Sequence, residues 1–158
     1  HESLVQIDEL LEDYPKNLIL NTTKIEILRE SEKYDQALIL VNEQLEISPK
    51  NYPLSVEKVK VLRGSKKTIA AEEVLRDILL RRNADPSLWF LLSEIQKDNL
   101  NVAGYHQSRA EYFILLGQNE RALNELQFAL KLSQDNFQNF EIIMTKINNL
   151  REKLNKRI

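Results

Sequence analysis

Pro49-Lys50-Asn51 is flanked at equal distances by two close copies of itself, Pro15-Lys16-Asn17 before it and Asn83-Ala84-Asp85-Pro86 after it. The turn-forming positions Asn17, Asn51 and Asp85 are therefore 34 residues apart. Two further residue classes keep that step: a small one at Ala37 and Ala71, and a basic one at Arg29, Arg63, Lys97 and Lys131. A period of this length belongs to chains made of stacked helix pairs, because one pair can bury its apolar faces only against the next. The period thus predicts an all-α solenoid of helical hairpins, a chain that is first a surface and only then a candidate for chemistry.

Composition agrees with that reading. The 158 residues, 42% apolar and 29% charged, are enough for one well-buried domain spanning 1–158. Only 3 Gly and 4 Pro interrupt the chain, which favours long helices with short joints. A net charge of -2 supplies no field to draw in nucleic acid, so none is expected as a partner. No apolar run approaches the roughly 18–20 residues that cross a bilayer, so direct membrane insertion is not expected either. The absence of Cys removes disulfides, thiolate zinc sites and cysteine nucleophiles.

Apolar periodicity then predicts about nine helices. Residues 1–14, with Leu4, Ile7, Leu10 and Leu11 on one stripe, read as the second helix of a truncated repeat, so the chain is expected to start inside a longer protein, with His1 at a cut end. Helix pairs follow at 17–47, 52–82 and 86–116, and a final pair with an amphipathic capping helix at 119–156. The segment Ser31-Glu32-Lys33-Tyr34-Asp35-Gln36-Ala37-Leu38 resembles the joint and second-helix opening of a tetratricopeptide (TPR) repeat, where an aromatic plugs the joint and Ala permits close approach. Gly64-Ser65 is expected to break the second pair through a positive φ at Gly. Asp85 caps the third pair with Pro86 in its first turn. Of Trp89 and Phe90, at least one is expected in the core, Trp89 being where the TPR pattern places a large residue. One conflict stands. Ala122, Leu123, Leu126, Ala129 and Leu130 look like a second helix, yet counting by 34 makes Asn119 the start of a first helix. Either the repeat changes phase there or one helix serves both roles.

Catalytic constellations are absent from the sequence. The two histidines, His1 and His106, form no HExxH pair: His1-Glu2 begins such a string, but Val5 stands where the second histidine would be. His106 reads as a partly buried helix residue between Tyr105 and Arg109. Neither a Gly-flanked serine elbow nor a Gly-rich phosphate loop occurs. No cofactor or metal is expected in this chain.

The candidate site is instead a partner-binding groove on the first helices: Thr22, Val56 and Phe90 in one column, Glu26, Lys60 and Glu94 in a second, and Arg29, Arg63, Lys97 and Lys131 in a basic third. Stacked in register, the basic column would suit acidic side chains or a terminal carboxylate of a peptide. The plainer role of each cation is to complement the macrodipole of its helix end, worth about 0.3–1 kcal/mol.

A narrower likeness lies in the C-terminal half. Asp85-Pro86-Ser87-Leu88-Trp89-Phe90-Leu91-Leu92-Ser93-Glu94, Arg109-Ala110-Glu111-Tyr112-Phe113-Ile114-Leu115-Leu116-Gly117 and Arg121-Ala122-Leu123-Asn124-Glu125-Leu126-Gln127-Phe128-Ala129-Leu130 together resemble the C-terminal TPR region of bacterial periplasmic zinc metalloproteases of the β-barrel assembly-enhancing type. The likeness extends from about Tyr34 onward. It implies a non-catalytic docking domain in the periplasm, with outer-membrane assembly machinery or unfolded barrel proteins as partners, and with zinc confined to a protease domain preceding this chain. A free-standing TPR scaffold that assembles other proteins, in the cytoplasm or exported, is the alternative.

Overall fold

The computed structural model describes residues 2–156, and every element among them is an α-helix. In chain order these are α1 (Glu2–Asp13), α2 (Leu18–Glu30), α3 (Tyr34–Ile47), α4 (Tyr52–Gly64), α5 (Thr68–Leu79), α6 (Pro86–Asp98), α7 (Val102–Leu115), α8 (Asn119–Lys131) and α9 (Phe137–Asn155). His1 lies outside the described residues. The chain divides into two compact units, one ending at Ile78 and the other beginning at Leu79.

Two kinds of joint connect the helices. The first kind is three residues long and occurs at 31–33, 65–67, 99–101 and 116–118. In each, the middle residue is left-handed: Glu32 (φ 57°), Lys66 (64°), Leu100 (59°) and Gly117 (72°). Its N–H donates to the carbonyl three residues back, at Arg29, Arg63, Lys97 and Ile114, and the next N–H donates to the carbonyl five back, at Leu28, Leu62, Gln96 and Phe113. This is the Schellman pattern, which satisfies the orphan carbonyls of a helix end while reversing the chain. The second kind is longer and ends in a side-chain cap. Asn17, Asn51, Asp85 and Asn136 each accept from a first-turn N–H of α2, α4, α6 and α9.

The order of these joints resolves the conflict at Asn119. The two kinds alternate as far as α7, which is entered by a Schellman joint and also left by one. Helix α7 packs against both α6 and α8, serving as second helix to the former and first helix to the latter. The alternation then resumes in the opposite phase, with the capped joint before α9. Gly117 makes this joint without the Cβ strain that Glu32, Lys66 and Leu100 carry in theirs.

Within the first unit, Ile25, Leu28, Ala37, Val41, Leu54 and Val61 of α2–α4 form the core, with Leu4 of α1 packed on it. In the second unit, Ala110, Phe113, Ala122, Leu126, Ala129, Ile143, Ile147 and Leu150 of α7–α9 do the same. Each large side chain taken from water here contributes about 1.5–3 kcal/mol. Ala37, Ala71 and Ala122 are fully buried one turn into α3, α5 and α8, where the small residue lets a neighbouring helix approach. Several expected core residues are instead exposed: Leu10, Ile47, Ile69, Leu116 and Phe137. All except Leu10 sit in a first or last turn or just past a helix end, where the packed stripe has run out. The capping helix buries Ile143, outside the expected stripe, with Ile147 and Leu150.

Gly64 has a different role from the one expected. It is the last residue of α4, and the positive φ belongs to Lys66. A Cβ on Gly64 would lie 2.3 Å from Cε1 of Tyr34, the aromatic that opens α3. Glycine is present because a ring from another helix rests on its backbone. Two outcomes follow from these joints in urea unfolding. Gly64→Ala should lose about 1–2 kcal/mol through overpacking; were Gly64 only a helix residue, Ala would raise stability by about 0.5–1 kcal/mol. Lys66→Gly should gain about 0.5–1 kcal/mol by relieving the left-handed strain, and a loss would contradict the joint geometry.

Candidate functional site

In the first unit the candidate residues lie on α2 and α4, which contact each other. Thr22 is half-buried and donates its hydroxyl to the Leu18 carbonyl at 2.8 Å, an intrahelical bond. Glu26, Val56 and Arg63 are half-buried. Arg29 and Lys60 meet at a residue outside the expected columns. The Glu57 side chain is only 5% exposed, and its Oε2 accepts from Arg29 Nε at 3.1 Å while its Oε1 accepts from Lys60 Nζ at 2.5 Å. Arg29 also reaches Glu30, at 3.4 Å. Two cations of the groove are therefore already paired with a buried carboxylate that the fold would otherwise leave uncompensated. The signal for Glu57 was its i,i+3 spacing to Lys60; Arg29 is 28 residues away and visible only in the fold.

In the second unit α6 carries Phe90, Glu94 and Lys97. Phe90 is 43% exposed, and its ring centroid lies 5.5 Å from that of Tyr112 on α7 at 51°. Glu94 is half-buried and Lys97 exposed. The core position expected at Trp89 belongs to Leu88, with Leu92 one turn on. Trp89 is half-buried and ties down the preceding joint, its Nε1 donating to the Asn83 carbonyl at 2.7 Å. A one-residue step turns a side chain about 100° around a helix, enough to exchange core for flank.

The basic column divides. Arg29, Arg63 and Lys97 each stand in the last turn of a first helix, and each lends its backbone carbonyl to the Schellman joint that follows. Lys131 is also in a last turn, but of α8, which enters by a second-helix joint and leaves by a different one. All four positions meet the geometric condition for complementing a helix dipole.

A second polar cluster joins α7 to α8. Glu125 accepts from Arg109 Nε at 3.1 Å and shares a 2.7 Å hydrogen bond with His106 Nδ1. Burial, the largest single influence, lowers the Arg109 pKa, but the hydrogen bond to Glu125 and the charges of Tyr105, Glu125 and Glu94 together outweigh it, so the guanidinium is held above its ordinary value. The guanidinium lies 5.5 Å from the Tyr105 ring centroid and 5.1 Å from that of Phe113. His106 stacks on Phe128 at 5.3 Å and 26°. Beneath these, Ser108 donates to Gln96 Oε1 at 2.6 Å in a buried bond between α7 and α6. Among the described residues, no group of three or more His, Asp or Glu could hold a metal ion, and no helix is long and apolar enough to cross a membrane.

No protein-family model matches the chain, and no curated protein matches it. Solved structures do. MamA from Desulfovibrio magneticus RS-1, from residue 41 to its end, aligns with a TM-score of 0.66 and 18% identity over 96% of this chain and 85% of that one. The ArsTM double mutant of MamA RS-1 aligns at 0.65 and 17% over 97% and 85%. At this identity the likeness shows the fold alone, and that fold is a TPR-type array of helical hairpins.

The Glu57 pairing has a measurable consequence. Glu57→Gln should cost about 1–2 kcal/mol, since a hydrogen bond to a charged group is worth about 1.5–3 kcal/mol and the partial exposure of Arg29 and Lys60 reduces it. A change below about 0.3 kcal/mol in urea unfolding at low salt would show the carboxylate to be solvent-screened.

Proposed function

We propose that this chain is a non-catalytic protein–protein interaction module. The observation that carries the reading is the α6 face: an aromatic, Phe90, stands half-exposed on Tyr112 within two turns of Glu94 and exposed Lys97. A rigid aromatic ringed by charged groups is the composition of a recognition hot spot. A reaction would need a nucleophile set against a base, and the sequence holds no such motif.

In its fuller form the reading is a docking domain of a periplasmic zinc metalloprotease of the β-barrel assembly-enhancing type, receiving outer-membrane assembly machinery or unfolded barrel proteins. The strings from Asp85 to Glu94 and from Arg109 to Leu130 support it by resemblance. The second reading, a free-standing TPR scaffold, draws its support from the helical-hairpin fold shared with the solved neighbours.

A photo-reactive residue at Phe90 in cells carrying the parent gene separates them. Crosslinks to outer-membrane assembly components or unfolded barrels are expected; crosslinks confined to cytosolic proteins would sink the protease-associated form. Charge reversal at Arg63 or Lys97 should weaken capture in a salt-dependent way with helicity unchanged. A change in thermal stability alone would leave these cations only their dipole role. Chelator-sensitive casein hydrolysis by the purified chain would overturn the non-catalytic assignment.

A further inference from the structure

Helices joined by short turns run alternately up and down, so the end of α6, the start of α7, the end of α8 and the start of α9 share one end of the second unit. That end carries several exposed apolar side chains. Leu100 is 86% exposed, Phe137 75% and Phe128 53%, and Val102 and Leu132 are exposed beside them in sequence. Leu100 also carries the left-handed conformation of its joint, a position held by charged Glu32 and Lys66 in the two equivalent joints of the first unit. Solvent alone would favour a charged residue there as well.

Beside Phe128 lies a cavity of about 220 Å³ lined by Asn124, Gln127, Phe128 and Lys131, the i, i+3, i+4 and i+7 positions of one α8 face. It falls below the roughly 300–1,000 Å³ of small-molecule sites, which leaves a single side chain as the fitting occupant. The only charge on its lining is the Lys131 ammonium, 5.8 Å from the Phe128 ring centroid. Glu125, one residue from Asn124 in sequence, is engaged by Arg109 and His106, and His106 stacks on the Phe128 ring. Asn124 and Gln127 add amide donors.

We propose that this end of the second unit is a docking site for a peptide segment of a partner protein, bearing one aromatic or leucine anchor next to an acidic residue. The anchor seats on Phe128 in the cavity and the carboxylate meets Lys131, while Leu100 and Phe137 cover the flanking apolar residues. The proposal rests on the interaction-module reading and names a partner class for a face separate from Phe90, Glu94 and Lys97.

Selection of displayed random peptides on the whole chain, followed by anisotropy titration of the enriched sequences, tests it. Enrichment of an aromatic or leucine flanked by Asp or Glu is expected. Phe128→Ser should weaken such a peptide about ten-fold or more. Lys131→Glu, at an exposed position, should weaken it several-fold and flatten its salt dependence while lowering the melting temperature by no more than the few degrees that loss of its helix-dipole contribution accounts for, which keeps the test valid if Phe128→Ser disturbs the fold. Peptides indifferent to both substitutions but lost on changing Phe90 or Lys97 would overturn this site and leave the module reading standing. Failure to enrich any peptide would count against both. A concentration-dependent dimer abolished by Phe128→Ser, or binding to phosphatidylcholine vesicles by the same residues, would reassign the face and overturn the proposal.

Discussion

The left-handed residue that closes the three-residue joint is the constraint on which the rest depends. Four times the chain ends a helix with the same pair of backbone hydrogen bonds, and four times one residue takes a positive φ to make them possible. Three of those residues are not glycine, and an L-residue in this conformation costs about 1–2 kcal/mol. That cost is offset by burial on either side: the joint sets one helix antiparallel to the last, so Ala37 and Ala122 can close on their neighbours and complete the two apolar cores. Where the joint occurs twice in succession, around α7, the repeat changes phase. That repetition brings the start of α7 against the end of α8 and creates the His106, Glu125 and Phe128 face.

A second regularity concerns charge. Each unit holds a poorly exposed carboxylate that collects two basic partners, Glu57 with Arg29 and Lys60 in the first, Glu125 with Arg109 and His106 in the second. Such clusters lock helix to helix with directional bonds that apolar packing lacks. They also reduce the net charge left for a ligand. A basic column drawn from sequence alone therefore overstates the positive surface, and Lys97 and Lys131, both exposed, are its better candidates for contact with a partner.

Much of the fold could be read from the chain because its signals are local. Asn17, Asn51 and Asp85 cap the helices that follow them, and a cap needs only the next three residues. Ala37 and Ala71 are buried as their spacing foretold. What escaped depends on partners distant in sequence. Gly64 is required by Tyr34, thirty positions earlier, so it looked like a turn glycine. Leu88 and Trp89 differ by one residue and exchange core for flank according to which way α6 is rotated against its neighbours. Glu57 was not singled out, because its partner Arg29 is on another helix. Phe128 gave no warning as a surface residue, since it sits among good second-helix residues.

Amide hydrogen exchange at Lys33, Lys67, Asn101 and Gln118 tests that phase change most directly. Each of these N–H groups donates to a carbonyl five residues back, and only the last depends on α8 entering as a second helix. Protection of Gln118 comparable to that of Lys33, Lys67 and Asn101 is the predicted result. Exchange of Gln118 at the rate of an unstructured amide, with the other three protected, would contradict it.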